Sequence, residues 1–166
     1  HKLAKSPHVK KIYVAPGSRF DKSGGPGGSA NHLTLLARDE TGYRNLVKLT
    51  SAANLDGFYY KPRIDKELLA RHAAGLIGLS GCMKGEVAQK AIRGDDAGAR
   101  QAAGEFRDIF GAGNYYFELM VNGIPEQERA NRALIALSKT TGIPVVATND
   151  CHYLRREDAP VHEVLL

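Results

Sequence analysis

The chain has 166 residues, 43% apolar and 25% charged, which is the make-up of one ordinary globular domain and excludes a disordered or fibrous chain. Lys and Arg outnumber Asp and Glu by 23 to 18, and the formal charge of +5 is compatible with a phosphate-bearing partner without demanding one. No apolar run is long enough to span a bilayer, no secretory leader is visible, and Cys82 and Cys151 form no CxxC spacing, so a reducing cytoplasm is expected.

Residues 1–11 carry Lys2, Lys5, Lys10 and Lys11, a basic leader that suits a solvated tail as well as a nucleic-acid contact. Ile12 to Ala15 predict a short strand stopped by Pro16 and Gly17. The Gly-rich stretch 21–31 lacks the spacing of a P-loop and predicts a loop. A strand is expected over 32–37, then a helix from Gly42 to Asn54 with Tyr43, Leu46, Val47 and Thr50 on one stripe. Lys66 to His72 predicts a short helix and Gly75 to Leu79 a buried strand. Two helices follow, over 85–93 and 95–110, the second weakened by Gly98 and Gly104. Tyr115 to Leu119 is the next strand.

The helix opened by Pro125 has the strongest pattern, with Ala130, Ala133, Leu134 and Leu137 at i, i+3, i+4 and i+7 before Gly142 and Pro144. Val145 to Thr148 is a continuous apolar strand, and a helical segment begins near Glu157. Strands alternating with helices imply parallel βα units, hence an α/β barrel or a doubly wound sheet. About five strands fall short of the usual eight of a closed barrel, so an incomplete, open-sided architecture is expected.

Residues 148–153, TNDCHY, hold the densest chemistry. Asp150 and His152 are two apart, which in extended backbone turns them to one face and Cys151 to the other. They follow a strand at its carboxyl end, where α/β folds place their sites, and a carboxylate beside an imidazole suits Zn²⁺, Mn²⁺ or Fe. A hydrogen-bonded Asp–His pair with a purely structural role is the competing reading. Cys82 also follows a strand at its carboxyl end, although a free Cys there equally serves as a small buried hydrophobe. His32 instead opens its strand, where a lone His is as readily structural. In FYYKPRID, Lys61 and Arg63 flanked by Tyr59 and Tyr60 are candidates for phosphate contact and base stacking, against a solvated loop with core-covering tyrosines.

Three stretches extend the reading: IYVAPGSRFD, the run NHLTLLARDETGYRNLVKLTSAANLDGFYYKPRIDKELLARHAAGLIGLSGC, and the run from NYYFELMVNGIPEQ to HEVLL. Together they span residues 12–166 and resemble the polymerase and histidinol phosphatase (PHP) domain of bacterial DNA polymerase III alpha subunits. The resemblance implies a distorted βα barrel of the PHP type, here a partial domain over 12–166 behind a divergent leader over 1–11. It implies up to three Zn²⁺ or Mn²⁺ ions used for phosphoester hydrolysis, including 3′-to-5′ removal of mispaired nucleotides. His32, Cys82, Asp150 and His152 match the family's later ligands. DNA and other replicase subunits become the implied partners, without a membrane, and Mg²⁺ the cofactor of the parent polymerase, whose acidic triad would lie beyond Leu166.

The departures also carry information. The family's first ligand segments have no counterpart, Lys11 stands where the family has a Glu ligand, and Asn122 stands where many relatives have His. A cation at position 11 repels a metal rather than binding it. The expectation is therefore a fragment that is enzymatic by ancestry and inactive alone. A non-catalytic module bracing the polymerase and a free-standing phosphoesterase are the alternatives.

Overall fold

Asp39 starts the first helix two residues ahead of the sequence expectation, because its carboxylate accepts a 2.9 Å hydrogen bond from the Gly42 N–H. That bond holds the Asp39 carboxyl below its ordinary range. The computed structural model describes residues 31–58 and 62–164. The expected leader, the strand over 12–15, most of the Gly-rich stretch, Lys11, Lys61 and the tyrosines at 59 and 60 lie outside these described residues.

Strand β1 (Thr34–Ala37) leads into α1 (Glu40–Leu55) and α2 (Lys66–Arg71). Strand β2 (Leu76–Leu79) is followed by α3 (Glu86–Ile92) and α4 (Asp96–Phe110), and β3 (Tyr115–Met120) by α5 (Pro125–Thr141). After β4 (Val145–Thr148) come a 3-10 turn (Arg156–Asp158) and α6 (Ala159–Val164). Asp65 and Asp95 cap α2 and α4 as Asp39 caps α1, each accepting from a backbone N–H three residues on. Helix α5 has Pro125 in its first turn and ends on Gly142 in the left-handed conformation, φ 72°.

The buried stripe of α1 is Gly42, Leu46, Leu49 and Ala53, while Val47 is exposed. The expected stripe shares only Leu46 with it. Gly42 explains the rotation: a Cβ there would stand 1.9 Å from the Gly75 carbonyl oxygen, so the helix's closest approach is made by a residue with no hydrophobic signal.

Among the described residues the sheet order is β1-β2-β3-β4 and the sheet is not closed, consistent with a PHP-type partial barrel. Strands β2, β3 and β4 are parallel, as the alternation of elements implies. Strand β1 is not: it runs antiparallel to β2, with Thr34 opposite Leu79. The chain returns to the carboxyl end of β1 before β2 begins, and the Arg38 N–H donates to the Gly75 carbonyl at 2.9 Å. Alternation of strand and helix does not specify the end at which a crossover returns.

The helices pack on the face that carries Leu35, Leu76, Tyr115 and Phe117. Tyr115 stacks against Phe106 and Phe110, with centroids 5.4 and 6.0 Å away, and meets Phe117 edge-on. Burial pushes the Tyr115 hydroxyl pKa up. Lys66 joins three helices, pairing with Glu86 of α3 at 2.9 Å and Glu105 of α4 at 2.6 Å while lying over the Phe106 ring. No described helix is long and apolar enough to cross a membrane.

Candidate metal centre

The antiparallel pairing of β1 corrects an apparent misfit. Parallel β2, β3 and β4 send their carboxyl ends to one rim, and a reversed β1 brings its amino end to the same rim. His32 therefore arrives beside Cys82, with Nδ1 3.5 Å from Sγ. The His32 N–H donates to the Lys84 carbonyl at 3.1 Å, and the Lys84 N–H points back at Cys82 Sγ at 3.5 Å.

Glycines make this approach possible. Gly81 has φ 78°, and a Cβ on it would stand 2.6 Å from the His32 carbonyl oxygen. A Cβ on Gly85 would meet the Ser80 carbonyl oxygen at 2.0 Å. The loop between them is pinned from two helices. Gln127 of α5, which is buried, accepts from the Met83 N–H at 2.9 Å, and Gln89 of α3 donates to the Met83 carbonyl at 2.7 Å.

The second pair stands beyond β4. His152 Nδ1 lies 3.7 Å from Asp150 Oδ1 and 3.0 Å from the Asp150 carbonyl oxygen, with both side chains more than half exposed. The His162 ring of α6 packs edge-on against His152 at 5.5 Å. Cys151 is exposed. Between the two pairs, Asn131 of α5 donates to the Met120 carbonyl at 2.7 Å where β3 ends, and the exposed Asn122 accepts from the Ile124 N–H at 3.3 Å.

Beneath the rim is a carboxylate that sequence reasoning missed. Glu118 of β3 is 3% exposed, on the face opposite Phe117. Its two oxygens accept from Thr34 of β1 at 3.0 Å and Thr148 of β4 at 2.7 Å. Its own N–H donates to the Ser80 hydroxyl at 2.9 Å. The available signal was one acidic residue inside the apolar run YYFELM.

Zinc bound by a thiolate at about 2.3 Å and an imidazole at about 2.1 Å in a tetrahedral shell holds those donors about 3.6 Å apart. The 3.5 Å between Cys82 and His32 fits that shell. Oxygen and nitrogen ligands to zinc stand about 3.4 Å apart by the same geometry, and Asp150 and His152 are at 3.7 Å. Among the described residues no group of three or more His, Cys, Asp or Glu could hold a metal ion. The structure thus brings the four predicted residues together as two pairs rather than as one cluster. Arg63 is half-buried, with Nε and Nη1 shielded from solvent.

A profile of the PHP domain family matches residues 7–122, which include His32 and Cys82. The DNA polymerase III subunit alpha of Thermus aquaticus is 47% identical over 173 residues, covering 100% of this chain and 14% of the relative. That of Treponema pallidum is 45% identical over 157 residues, covering 94% and 13%, and that of Mycobacterium tuberculosis 43% over 170 residues, covering 94% and 14%. The chain thus spans a small part of the length of the relatives it matches. With a family profile over more than half of its residues and relatives aligned along all of it, the chain belongs to the PHP domain family.

Proposed function

We propose that this chain is the PHP portion of a bacterial replicative DNA polymerase, and that its rim is the surviving part of a divalent-metal phosphoesterase site. The supporting observation is the Cys82–His32 contact at 3.5 Å, a zinc-like donor spacing on the rim to which β4 also delivers Asp150 and His152. Cys82 and His32 would hold one side of a Zn²⁺ shell, and Asp150 and His152 would offer oxygen and nitrogen to Zn²⁺ or Mn²⁺. A divalent ion held by these residues would supply Lewis-acid chemistry toward a phosphoryl oxygen. Among the described residues the pairs leave each shell incomplete, and Lys11 stands where a carboxylate is expected, so no phosphoester hydrolysis is expected of the chain by itself. In the parent polymerase the partners would be DNA, Mg²⁺ at the separate polymerase centre and other replicase subunits.

Titration with Co²⁺ in place of Zn²⁺ tests the reading. A thiolate-to-cobalt absorption band is expected, lost in Cys82→Ser and His32→Gln. A cobalt spectrum indifferent to Cys82→Ser would refute the assignment. A structural reading, in which the domain only braces the polymerase, is favoured by the exposure of Asp150 and His152 and the lack of a third ligand among the described residues. Folded protein that binds no cobalt would decide for it.

A further inference from the structure

We propose that Glu118 is a positioning residue that couples the three ligand-bearing strand ends. The inference rests on the metal-site reading above and concerns a residue outside the ligand set. The pattern is regular. Thr34 lies two residues from His32, Ser80 two from Cys82, and Thr148 two from Asp150. All three hydroxyls bond to Glu118, two through its carboxylate and one through its N–H. Each hydroxyl thus sits two residues from a candidate ligand, at the end of the strand that carries it, although Gly81 with φ 78° breaks the extended backbone between Ser80 and Cys82.

The energetics support a dedicated arrangement. A carboxylate 3% exposed is costly unless its oxygens are bonded, and burial in apolar surroundings favours a cationic partner. Among the described residues none of the ion pairs includes Glu118, and both oxygens are spent on neutral threonines. Among the described residues, Thr34 and Thr148 stand on the two outer strands of the sheet, with β2 and β3 between them. One side chain on the central strand β3 thus fixes both edges against each other. Loosening either bond would let one pair of donors drift relative to the other, as loss of an outer support does in metal sites generally.

The test uses the chain with Cys151→Ser, which leaves Cys82 as its one thiol. Thr34→Val and Thr148→Val remove only a hydroxyl, and each is expected to weaken Co²⁺ binding about tenfold, the usual effect of losing an outer partner. Glu118→Leu should weaken it at least as much as either. Glu118→Gln should bind nearly as well as the parent, because the amide keeps one acceptor and the second threonine can turn its hydroxyl to accept. In metal-free protein, Thr34→Val and Glu118→Leu should change the alkylation rate of Cys82 severalfold, since either change would alter how closely His32 sits against and shields the thiol.

Unchanged cobalt affinity and unchanged alkylation in folded Thr34→Val and Thr148→Val would overturn the proposal. Loss of cobalt binding in Glu118→Gln as complete as in Glu118→Leu would also overturn it, by showing that charge rather than bonding matters. If the parent chain gives no cobalt band, the metal-site reading fails, and the alkylation rates still decide whether Glu118 sets the geometry of the rim. If Glu118→Leu does not fold, the threonine variants carry the test.

Discussion

Gln127 is the residue at which fold and candidate site meet most directly, and replacing it with Leu should loosen both. The side chain is 1% exposed, accepts from the Met83 N–H at 2.9 Å and donates to Asn131 Oδ1 at 3.0 Å. Leu fills a similar volume but satisfies neither partner. An orphaned buried N–H costs about 1–3 kcal/mol, and the lost donor to Asn131 adds about 1 kcal/mol. Part is recovered by the apolar side chain at about 25 cal/mol per Å² buried. The net loss is about 2 kcal/mol, or about 4–8 °C in Tm for a domain of this size. Urea unfolding followed by far-UV circular dichroism and tyrosine fluorescence measures it, since the chain has seven Tyr and no Trp. Gln127→Glu gives an independent check. Its carboxylate still accepts from Met83 but faces the Asn131 acceptor and is buried, both of which raise the folded pKa above about 4.3. Its destabilisation must therefore grow as pH rises and fade toward pH 4, where the protonated acid donates to Asn131. A Leu variant within about 0.5 kcal/mol of the parent, the range of ordinary surface changes, would refute the role given to Gln127.

Gly78→Ala should destabilise through overpacking: the new methyl would stand 2.3 Å from Phe110 Cε2, at a cost of about 1–3 kcal/mol. Adding Phe110→Leu should recover part of the loss, and a strictly additive double-mutant cycle would count against the clash. Lys66→Met leaves Glu86 largely buried without its ion-pair partner and should cost about 2 kcal/mol at neutral pH. The hydrogen bond from Lys66 lowers the Glu105 pKa, so the stability it provides is complete above the ordinary carboxylate range and lost as pH falls through the folded value. Urea midpoints followed into acid should therefore fall less steeply in Lys66→Met than in the parent; parallel curves would refute the linkage.

What the sequence made legible was what depends on local pattern. Helix α5 was evident from apolar spacing bounded by Pro125 and Gly142, and its buried Ala130, Leu134 and Leu137 match that stripe. The strand positions of β2, β3 and β4 followed from apolar runs between glycines and helices. The phase of α1 was hidden because its tightest contact is made by Gly42, which contributes nothing to a hydrophobic stripe. The direction of β1 was hidden because alternation of elements leaves the returning end of a crossover open. Gln127 and Glu118 were passed over for a third reason. A single sequence shows that a polar residue interrupts an apolar run, but not whether its partners lie 38 or 84 residues away, as Ser80 and Thr34 do for Glu118.

The reversed strand also fixes what the rim is able to do. Neighbouring strands lie about 4.8 Å apart, so the ends of β2 and β4, with β3 between them, stand about 10 Å apart. Ions bridged in a shared cluster sit about 3.5–4 Å from each other. Cys82 with His32 and Asp150 with His152 stand as two separate pairs among the described residues, and under the proposed metal site each would offer two donors to a tetrahedral set. What connects them is bonding from below, through Thr34, Thr148 and the carboxylate they share on the central strand. Under that proposal, a disturbance at one pair would reach the other through the buried Glu118 side chain. That is why removing a threonine hydroxyl two residues from one ligand is expected to be felt at the opposite edge of the sheet.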